Sequence, residues 1–276
     1  MSVTVACCQV ELEVGSAKRN RQACLDAVAA AAADGAEIIV LPELANSGYV
    51  FADPGEARAL AEPLDGPMVS ALEQLARSLR VVVVSGLCES DEQNGVLRNS
   101  AVIVDDRGLR SVYRKAHLWG REPQFFRPGD QPPAVIDTRF GRLGTMVCYD
   151  LEFPEWVHGA ALMGAQLLCV PTNWPAEPCP PGERSMEVVR AQAAASINRV
   201  FIACCDRAAV ERGVVWVNGT VIVGPDGYPL AGPVYADRAV TITAQLELSA
   251  ADDKSLGPRN DVFADRRPEL YRDLPG

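Results

Sequence analysis

Three side chains that could take part in covalent chemistry each follow a run of apolar residues. The run Ile38–Leu41 leads through a proline to Glu43, a second run leads to Lys115, and a third leads to Cys148. A cysteine thiolate attacks electrophilic carbon, a carboxylate can accept and return a proton, and an ammonium group favours nearby negative charge. Taken singly, each residue has an ordinary alternative: a buried cysteine, a surface lysine or a turn carboxylate. Only their joint placement favours nucleophilic catalysis.

Alternating strands and helices would position these side chains. Strands rich in valine, with no polar alternation, are typical of sheets covered on both faces. The number of strands fits two sheets packed on each other, with helices outside, better than one wide sheet. Predicted strands are Val3–Val10, Glu37–Leu41, Val81–Cys88, Leu97–Val104, Leu109–Arg114, Gly144–Cys148, Gln166–Val170, Val200–Cys205, Val214–Val217, Thr220–Val223 and Ala239–Leu246. Predicted helices are Ala17–Asp34, Gly66–Leu79, Pro154–Met163 and Arg184–Asn198.

The composition excludes several classes of protein. The chain has 276 residues, 48% hydrophobic and 22% charged, which is globular usage. A net charge of −10 gives no basic footprint for nucleic acid or an anionic membrane. No apolar run reaches the ~18 residues of a membrane helix. Neither a basic leader nor a linker stands out, so we expect one cytoplasmic domain over 1–276, with 249–276 as a charged tail at a surface or a dimer interface.

The cysteines and histidines argue against a metal site. Nine cysteines, an odd number without C-x-x-C spacing, are typical of reduced and mostly buried thiols. Only His117 and His158 could supply imidazole ligands. We therefore expect no metal and no other cofactor.

Three sequence blocks carry a resemblance to a known family. They are Leu41-Pro42-Glu43-Leu44, Tyr113-Arg114-Lys115-Ala116-His117-Leu118, and Val147-Cys148-Tyr149-Asp150-Leu151-Glu152-Phe153-Pro154-Glu155. In type, order and wide spacing these resemble the signature blocks of the nitrilase superfamily of carbon–nitrogen hydrolases. The resemblance covers essentially the whole chain. It implies a four-layer α-β-β-α sandwich that becomes eight-layered across a homodimer.

The resemblance also implies roles for individual residues. Glu43, Lys115 and Cys148 would form the catalytic triad, with Glu122 at the position of a second glutamate that holds the lysine or orients water. Glu43 would be the general base, and Cys148 the nucleophile that forms a thioester. Lys115 and the backbone N–H of Tyr149 would bind the developing oxyanion.

The substrate pocket is expected to involve loops 46–56, 119–133 and 174–184. Tyr49, Asn173 and Trp174 are candidate substrate-binding residues in these regions or beside them. Phe125 and Phe126 could wall the site or belong to the core. His117 is interpreted as structural.

Within the superfamily, the residues favour an amidase acting on small carboxamides. Tyr149-Asp150 follows the cysteine, where dedicated nitrilases usually have tryptophan and glutamate. An N-carbamoyl amine hydrolase or ω-amidase is the next alternative, and a true nitrilase is less favoured. Two hypotheses outside this superfamily's hydrolases stay open: a non-enzymatic binding protein and a thiol redox protein. The expected partners are a small amide substrate and further copies of the chain, as a homodimer or a higher oligomer.

Overall fold

Two six-stranded sheets form the centre of the fold. The structure is a computed structural model and describes residues 2–271. In chain order, the strands are β1 (Ser2–Gln9), β2 (Ile38–Val40), β3 (Val82–Asp91), β4 (Val96–Asp105), β5 (Gly108–Arg114), β6 (Val135–Asp137), β7 (Arg142–Thr145), β8 (Leu167–Pro171), β9 (Phe201–Cys205), β10 (Val221–Val223), β11 (Pro229–Ala231), β12 (Val240–Glu247), β13 (Ser255–Gly257) and β14 (Asn260–Asp261). The helices are α1 (Ala17–Ala33), α2 (Pro54–Leu60), α3 (Pro67–Leu79), α4 (Pro154–Leu162), α5 (Met186–Asn198) and α6 (Pro268–Tyr271).

The two sheets share one pattern of pairing. The first has the order β12-β1-β2-β3-β4-β5, and the second the order β11-β10-β9-β8-β7-β6. In each, three neighbouring strands are parallel, β1-β2-β3 and β7-β8-β9, and the flanking pairs are antiparallel. Parallel strands end at the same edge of a sheet, which is where the segments that follow β2 in the first sheet and β7 in the second lie.

Apolar packing arranges these elements in four layers. Between the sheets, side chains such as Val5 and Val40 pack with Leu167 and Ile222. Helices α1 and α3 cover the outer face of the first sheet, and α4 and α5 cover that of the second. The predicted α-β-β-α sandwich is therefore confirmed, and the eight-layered dimer stays a prediction.

Two local predictions need correction, and one local signal was missed. Val214–Val217 is not a strand; it makes isolated bridges, because positive φ angles at Arg212 (48°), Gly213 (82°) and Asn218 (54°) bracket the segment. The strand predicted to end at Cys148 already ends at Thr145, which places the cysteine on a following turn. Helix α2 was missed, although Asp53 caps it by accepting from the Glu56 N–H at 3.0 Å and proline opens it.

The tail turns back over the outer helices of the second sheet. Lys254 Nζ donates to the carbonyl oxygens of Asn198 at 3.1 Å and Arg199 at 2.9 Å. The Phe263 ring lies 5.4 Å from that of His158 on α4. The predicted tail thus crosses its own protomer; its place at a dimer interface stays a prediction, and 272–276 lie outside the described residues. Over 2–271, no helix combines the length and apolarity needed to cross a bilayer.

Candidate active site

The candidate residues come from both sheets and meet at one end of the sandwich. Glu43 follows β2 and Lys115 directly follows β5, while Cys148 follows β7 of the other sheet. Asn173, which follows β8, joins the two sides because its Nδ2 donates to the backbone oxygen of Glu43 at 3.0 Å. The Glu43 N–H in turn donates to Thr172 O at 3.4 Å. The fold therefore fixes the carboxylate against the segment that contacts the cysteine.

Two carboxylates hold the ammonium group of Lys115. Its Nζ lies 2.8 Å from Glu43 Oε1 and 2.7 Å from Glu122 Oε1, and the ammonium and the Glu43 carboxylate are fully buried. Burial alone would lower the pKa of Lys115, but the charges of Glu122 and Glu43 hold it well above its ordinary value. A permanent cation therefore sits in a desolvated site, where its field is strong.

Glu122 and Glu43 differ in the hydrogen bonds that their carboxylate oxygens accept. Glu122 Oε1 also accepts from the Tyr49 hydroxyl at 2.7 Å, and its Oε2 accepts from the Trp119 N–H at 2.9 Å. Glu43 Oε2 is buried and accepts no hydrogen bond from the protein atoms of 2–271. Burial, only partly offset by Lys115, raises the pKa of Glu43 to about 7. Glu43 is thus suited to exchange protons, while Glu122 is held in place.

A close backbone contact sets the position of Glu43. A Cβ on Gly86 of β3 would lie 2.4 Å from the Glu43 Cα and 2.5 Å from the Leu44 nitrogen. No side chain fits there, so the glycine allows the strand to pass directly beneath the carboxylate-bearing turn.

Cys148 lies at the start of a 3-10 turn, Cys148–Glu152, in a left-handed backbone conformation with φ +47°. Such a conformation is unfavourable for a residue with a side chain and is typical of functional sites. Cys148 is 5% exposed, and its Sγ lies 3.9 Å from the backbone oxygen of Asn173. Burial and the charge of Glu43 raise the pKa of Cys148 well above its ordinary value, against a lowering by Lys115. The resting site therefore holds a neutral thiol.

Asp150 fixes the turn that carries Cys148. Its Oδ2 accepts from the Val147 N–H at 3.1 Å and the Tyr113 hydroxyl at 2.8 Å. Its Oδ1 accepts from the His117 N–H at 3.0 Å and lies 2.7 Å from His117 Nδ1. The turn that bears Cys148, which follows a strand of the second sheet, is thereby tied to the segment around Lys115, which follows a strand of the first. His117 contacts this anchor and stacks on Phe153 at 3.6 Å.

Sequence reasoning missed Asn99 and Asp150 as parts of the site. Asn99 Nδ2 donates to Glu43 Oε1 at 2.7 Å and to Glu122 Oε1 at 3.3 Å. The sequence offered one signal for Asn99: its side-chain amide lies inside a predicted buried strand, and a buried amide requires a hydrogen-bond partner. Asp150 lies within the cysteine block but had no predicted role, although a buried carboxylate needs hydrogen-bond donors.

A cavity of about 270 Å³ adjoins Glu122 and Tyr49. Loops 46–56 and 119–133 contribute most of its wall, loop 174–184 contributes Pro175, and Trp216 comes from the segment interpreted wrongly as a strand. That these loops bind substrate stays a prediction. Aromatic rings dominate this wall: those of Tyr49, Phe51, Trp119, Phe125, Phe126 and Trp216.

The remaining predicted residues lie near the thiol. Tyr149 belongs to the first turn after Cys148, where backbone N–H groups have no intrahelical acceptor, and its ring packs 4.8 Å from Trp119. Asn173 Oδ1 is buried without a partner in the described chain. Trp174 belongs to the buried cluster that contains Cys148. It does not line the cavity, although the next residue, Pro175, does. Its contact with substrate stays a prediction.

The chain matches one protein family over most of its length. Within residues 2–271, no group of three or more His, Cys, Asp or Glu side chains could hold a metal ion. The carbon-nitrogen hydrolase family model matches residues 4–253. The chain belongs to the carbon-nitrogen hydrolase family. This hydrolase therefore acts on non-peptide carbon–nitrogen bonds.

Known proteins are similar to this hydrolase over most or all of its length. A nitrilase of Pyrococcus abyssi is 33% identical over 270 residues, which is 98% of this chain and 99% of the relative. An (R)-stereoselective amidase of Pseudomonas is 35% identical over 214 residues, covering 77% of this chain and 74% of the relative. The solved structure of an amidase from Nesterenkonia sp. AN1 superposes with a TM-score of 0.81 at 30% identity, with 98% of each chain covered.

Proposed function

We propose that this hydrolase is a cysteine-dependent amidase that converts small carboxamides into carboxylates and ammonia. The observation that carries the proposal is the Lys115 ammonium, fully buried between the Glu43 and Glu122 carboxylates. Asn173, which donates to the Glu43 backbone and lies 3.9 Å from Cys148 Sγ, links this ion network to the thiol. Variants of the Nesterenkonia amidase have been solved with acrylamide and with butyramide. Another carries the acetamide moiety of fluoroacetamide on its active-site cysteine.

Glu43 acts first, as the general base. Because the resting thiol is neutral, attack requires removal of its proton as the sulfur–carbon bond forms. The ionised Glu43, with its unpartnered Oε2, can take that proton. The Lys115 cation offsets the charge that develops on sulfur.

The tetrahedral intermediate is stabilised by donors that are already in place. Its oxyanion would be held by Lys115 Nζ and the backbone N–H of Tyr149, without reorganisation of water. Glu43 then returns its proton to the amide nitrogen, the carbon–nitrogen bond breaks, and ammonia leaves behind a thioester on Cys148. Water attacks the thioester with Glu43 again as base, which yields the carboxylic acid and restores the thiol.

A hydrolase of N-carbamoyl amines is the second candidate, because the same triad could attack a ureido carbon. An N-carbamoylputrescine amidase of Solanum lycopersicum is 32% identical over 90% of this chain and 86% of the relative. The aromatic cavity favours the simple amides: of its charged residues, Glu122 is already engaged by Lys115 and Tyr49, and Arg121 would repel an amine.

The test is ammonia release from butyramide, butyronitrile and N-carbamoylputrescine. We expect release from butyramide, lost by several orders of magnitude in Cys148→Ala. Cys179→Ser is the matched control, because Cys179 alone among the nine cysteines, all within 2–271, is exposed. Release from the carbamoyl compound or the nitrile alone would retain the triad and overturn the choice of substrate. Turnover that survives Cys148→Ala would overturn the mechanism.

We also propose that the protein is a cytoplasmic homodimer that associates through the α4–α5 face. Large apolar side chains are exposed there, including Ile197 at 65%, Met186 at 55% and Leu162 at 47%. An exposed apolar patch of this kind is typical of an interface. Light scattering should give the dimer mass for the native chain and the monomer mass for Ile197→Glu. A native monomer at micromolar concentration would contradict this.

A further inference from the structure

The position of Tyr49 depends on a cluster of side chains that the mechanism above does not use. Its hydroxyl donates to Glu122 Oε1 at 2.7 Å, the same oxygen that receives the Lys115 ammonium. Burial, followed by the charges of Glu122 and Glu43, raises the pKa of Tyr49 well above its ordinary value, so the hydroxyl stays a donor. Any displacement of Tyr49 would therefore change the ion network that surrounds Lys115.

Glu211 holds the backbone at this point. Its Oε2 accepts from the N–H groups of Tyr49 at 2.8 Å and Val50 at 2.7 Å. Packing here is tight: a Cβ on Gly48, whose φ is +78°, would lie 2.5 Å from Glu211 Oε1. Glu211 lies 162 residues from Tyr49 along the chain, so the contact is tertiary.

Arg207 holds Glu211 in turn. Its Nη1 lies 3.1 Å from Glu211 Oε2, with the side chains 0% and 2% exposed. A second guanidinium nitrogen donates to the backbone oxygen of Leu12. A buried ion pair is by itself weak evidence for stability, and buried ionic groups can instead contribute conformational specificity.

Trp216 closes the cluster. The Arg207 guanidinium lies over its ring at 4.8 Å, and the ring meets that of Tyr49 edge-on at 5.5 Å. Trp216 also lines the cavity. Arg207, Glu211 and Trp216, named here the Tyr49 clamp, thus grip Tyr49 by its backbone and by its ring.

We propose that Arg207, Glu211 and Trp216 are positioning residues, which fix the Tyr49 hydroxyl on Glu122 and thereby set the charge environment of Lys115 and Cys148. This inference rests on the proposed amidase function, because its main measurement is kcat for an amide. The clamp itself touches no reacting atom. Its effect must therefore pass through the Tyr49 hydroxyl, which a double-mutant cycle can detect.

The experiment measures kcat and KM for butyramide in Glu211→Gln, Tyr49→Phe and the double variant. We expect Glu211→Gln to lower kcat about tenfold in the native background and less than about threefold once the hydroxyl is absent. A purely structural role would give equal losses in both backgrounds, and that result would overturn the proposal. The control is Asp105→Asn, which changes a similarly buried carboxylate at the end of β4. Asp105 is paired with Arg110 of β5, and its replacement should leave kcat within about twofold.

Two further measurements keep the test decisive. If Glu211→Gln does not fold, Trp216→Leu replaces it and should show the same coupling to Tyr49→Phe on kcat. The rate at which iodoacetamide alkylates Cys148, resolved by mass spectrometry, repeats the cycle without turnover. Coupling in alkylation with no hydrolysis of any amide would uphold the clamp and overturn the proposed function. Additive effects on both kcat and alkylation would overturn the clamp alone.

Discussion

The side-chain Nδ2 of Asn99 donates a hydrogen bond to Oε1 of Glu43 over 2.7 Å. That oxygen also receives the Lys115 ammonium, and both donors reach Glu122 Oε1 as well. Two carboxylates and one ammonium would leave a net negative charge on buried side chains. The amide dipole of Asn99 partly compensates this charge, and its hydrogen bond favours the ionised form of Glu43.

Replacing this amide by a carboxylate should impair the base. In Asn99→Asp, a third negative charge would raise the pKa of Glu43 beyond its value of about 7, so less of the base is ionised at neutral pH. We expect kcat/KM at pH 7 to fall by more than about tenfold and the acid limb of the pH profile to move to higher pH. Asn99→Ala should move the limb in the same direction but less.

The control for this comparison is Asn94→Asp, which adds the same charge at the exposed β3–β4 turn. Its profile should match that of the native enzyme. An acid limb that stays in place in Asn99→Asp would show that Asn99 does not act on Glu43.

Glu43 should also control the pH dependence of activity and stability. Because the base must be ionised, kcat/KM should fall as the pH drops through about 7. Glu43→Gln should abolish that limb and lower kcat/KM by about 100-fold to 10,000-fold. For stability the sign follows from the raised pKa: the favourable contribution of protonated Glu43 is complete below pH 4.5 and is lost as the pH rises through about 7.

Melting temperatures at pH 5 and pH 8 check this sign. Glu43→Gln keeps a neutral side chain at both values, so its melting temperature relative to the native enzyme should rise from pH 5 to pH 8. A relative melting temperature that falls over this range would mean that the Lys115 pairing outweighs the desolvation of Glu43.

Much of this site could be predicted from the sequence because reactive residues after apolar runs leave a local signal. The strand-like runs predicted two packed sheets, and the resemblance of three blocks to a known family implied the four-layer sandwich and a triad of Glu43, Lys115 and Cys148. Asn99 and Glu211 act through contacts distant in sequence, and no local pattern reports these. The segment 214–217 was misjudged because its valines match a strand, whereas the left-handed residues on both sides prevent a ladder.

The close passage of β3 beneath Glu43 predicts a severe effect for Gly86→Ala. The added Cβ would meet the Glu43 Cα at 2.4 Å and the Pro42 oxygen at 2.6 Å, and backbone atoms cannot swing aside. We expect a melting temperature lower by several degrees and kcat/KM reduced more than about tenfold in the protein that folds.

Gly159→Ala is the matched control for this substitution. Gly159 lies inside α4, and a Cβ there would have no heavy atom within 4 Å. Alanine at this helical position should stabilise the fold by about 0.5–1 kcal/mol without changing activity. Equal melting temperatures for the two alanine variants would refute the argument from close contact.

The four contacts of Asp150 predict that an amide cannot replace this carboxylate. In Asp150→Asn, one oxygen becomes an NH₂ group, which would face either the Val147 N–H and Tyr113 hydroxyl or the His117 N–H. Opposed donors in a buried site cost about 1–3 kcal/mol each. The turn that bears Cys148 should shift, with kcat/KM reduced about 10-fold to 100-fold and slower alkylation of the thiol by iodoacetamide.

Tyr113→Phe is the comparison variant, which weakens the hydrogen bonding of Asp150 without replacing its carboxylate. It removes one donor to Asp150 and leaves the carboxylate to hold the Val147 and His117 N–H groups. Its loss of kcat/KM should therefore be smaller than that of Asp150→Asn. A displaced turn must change how the Cys148 thiol faces Glu43 and Lys115, and so must change its rate of alkylation. If Asp150→Asn lowers only the melting temperature and Cys148 is alkylated at the native rate, Asp150 stabilises the fold without positioning the thiol.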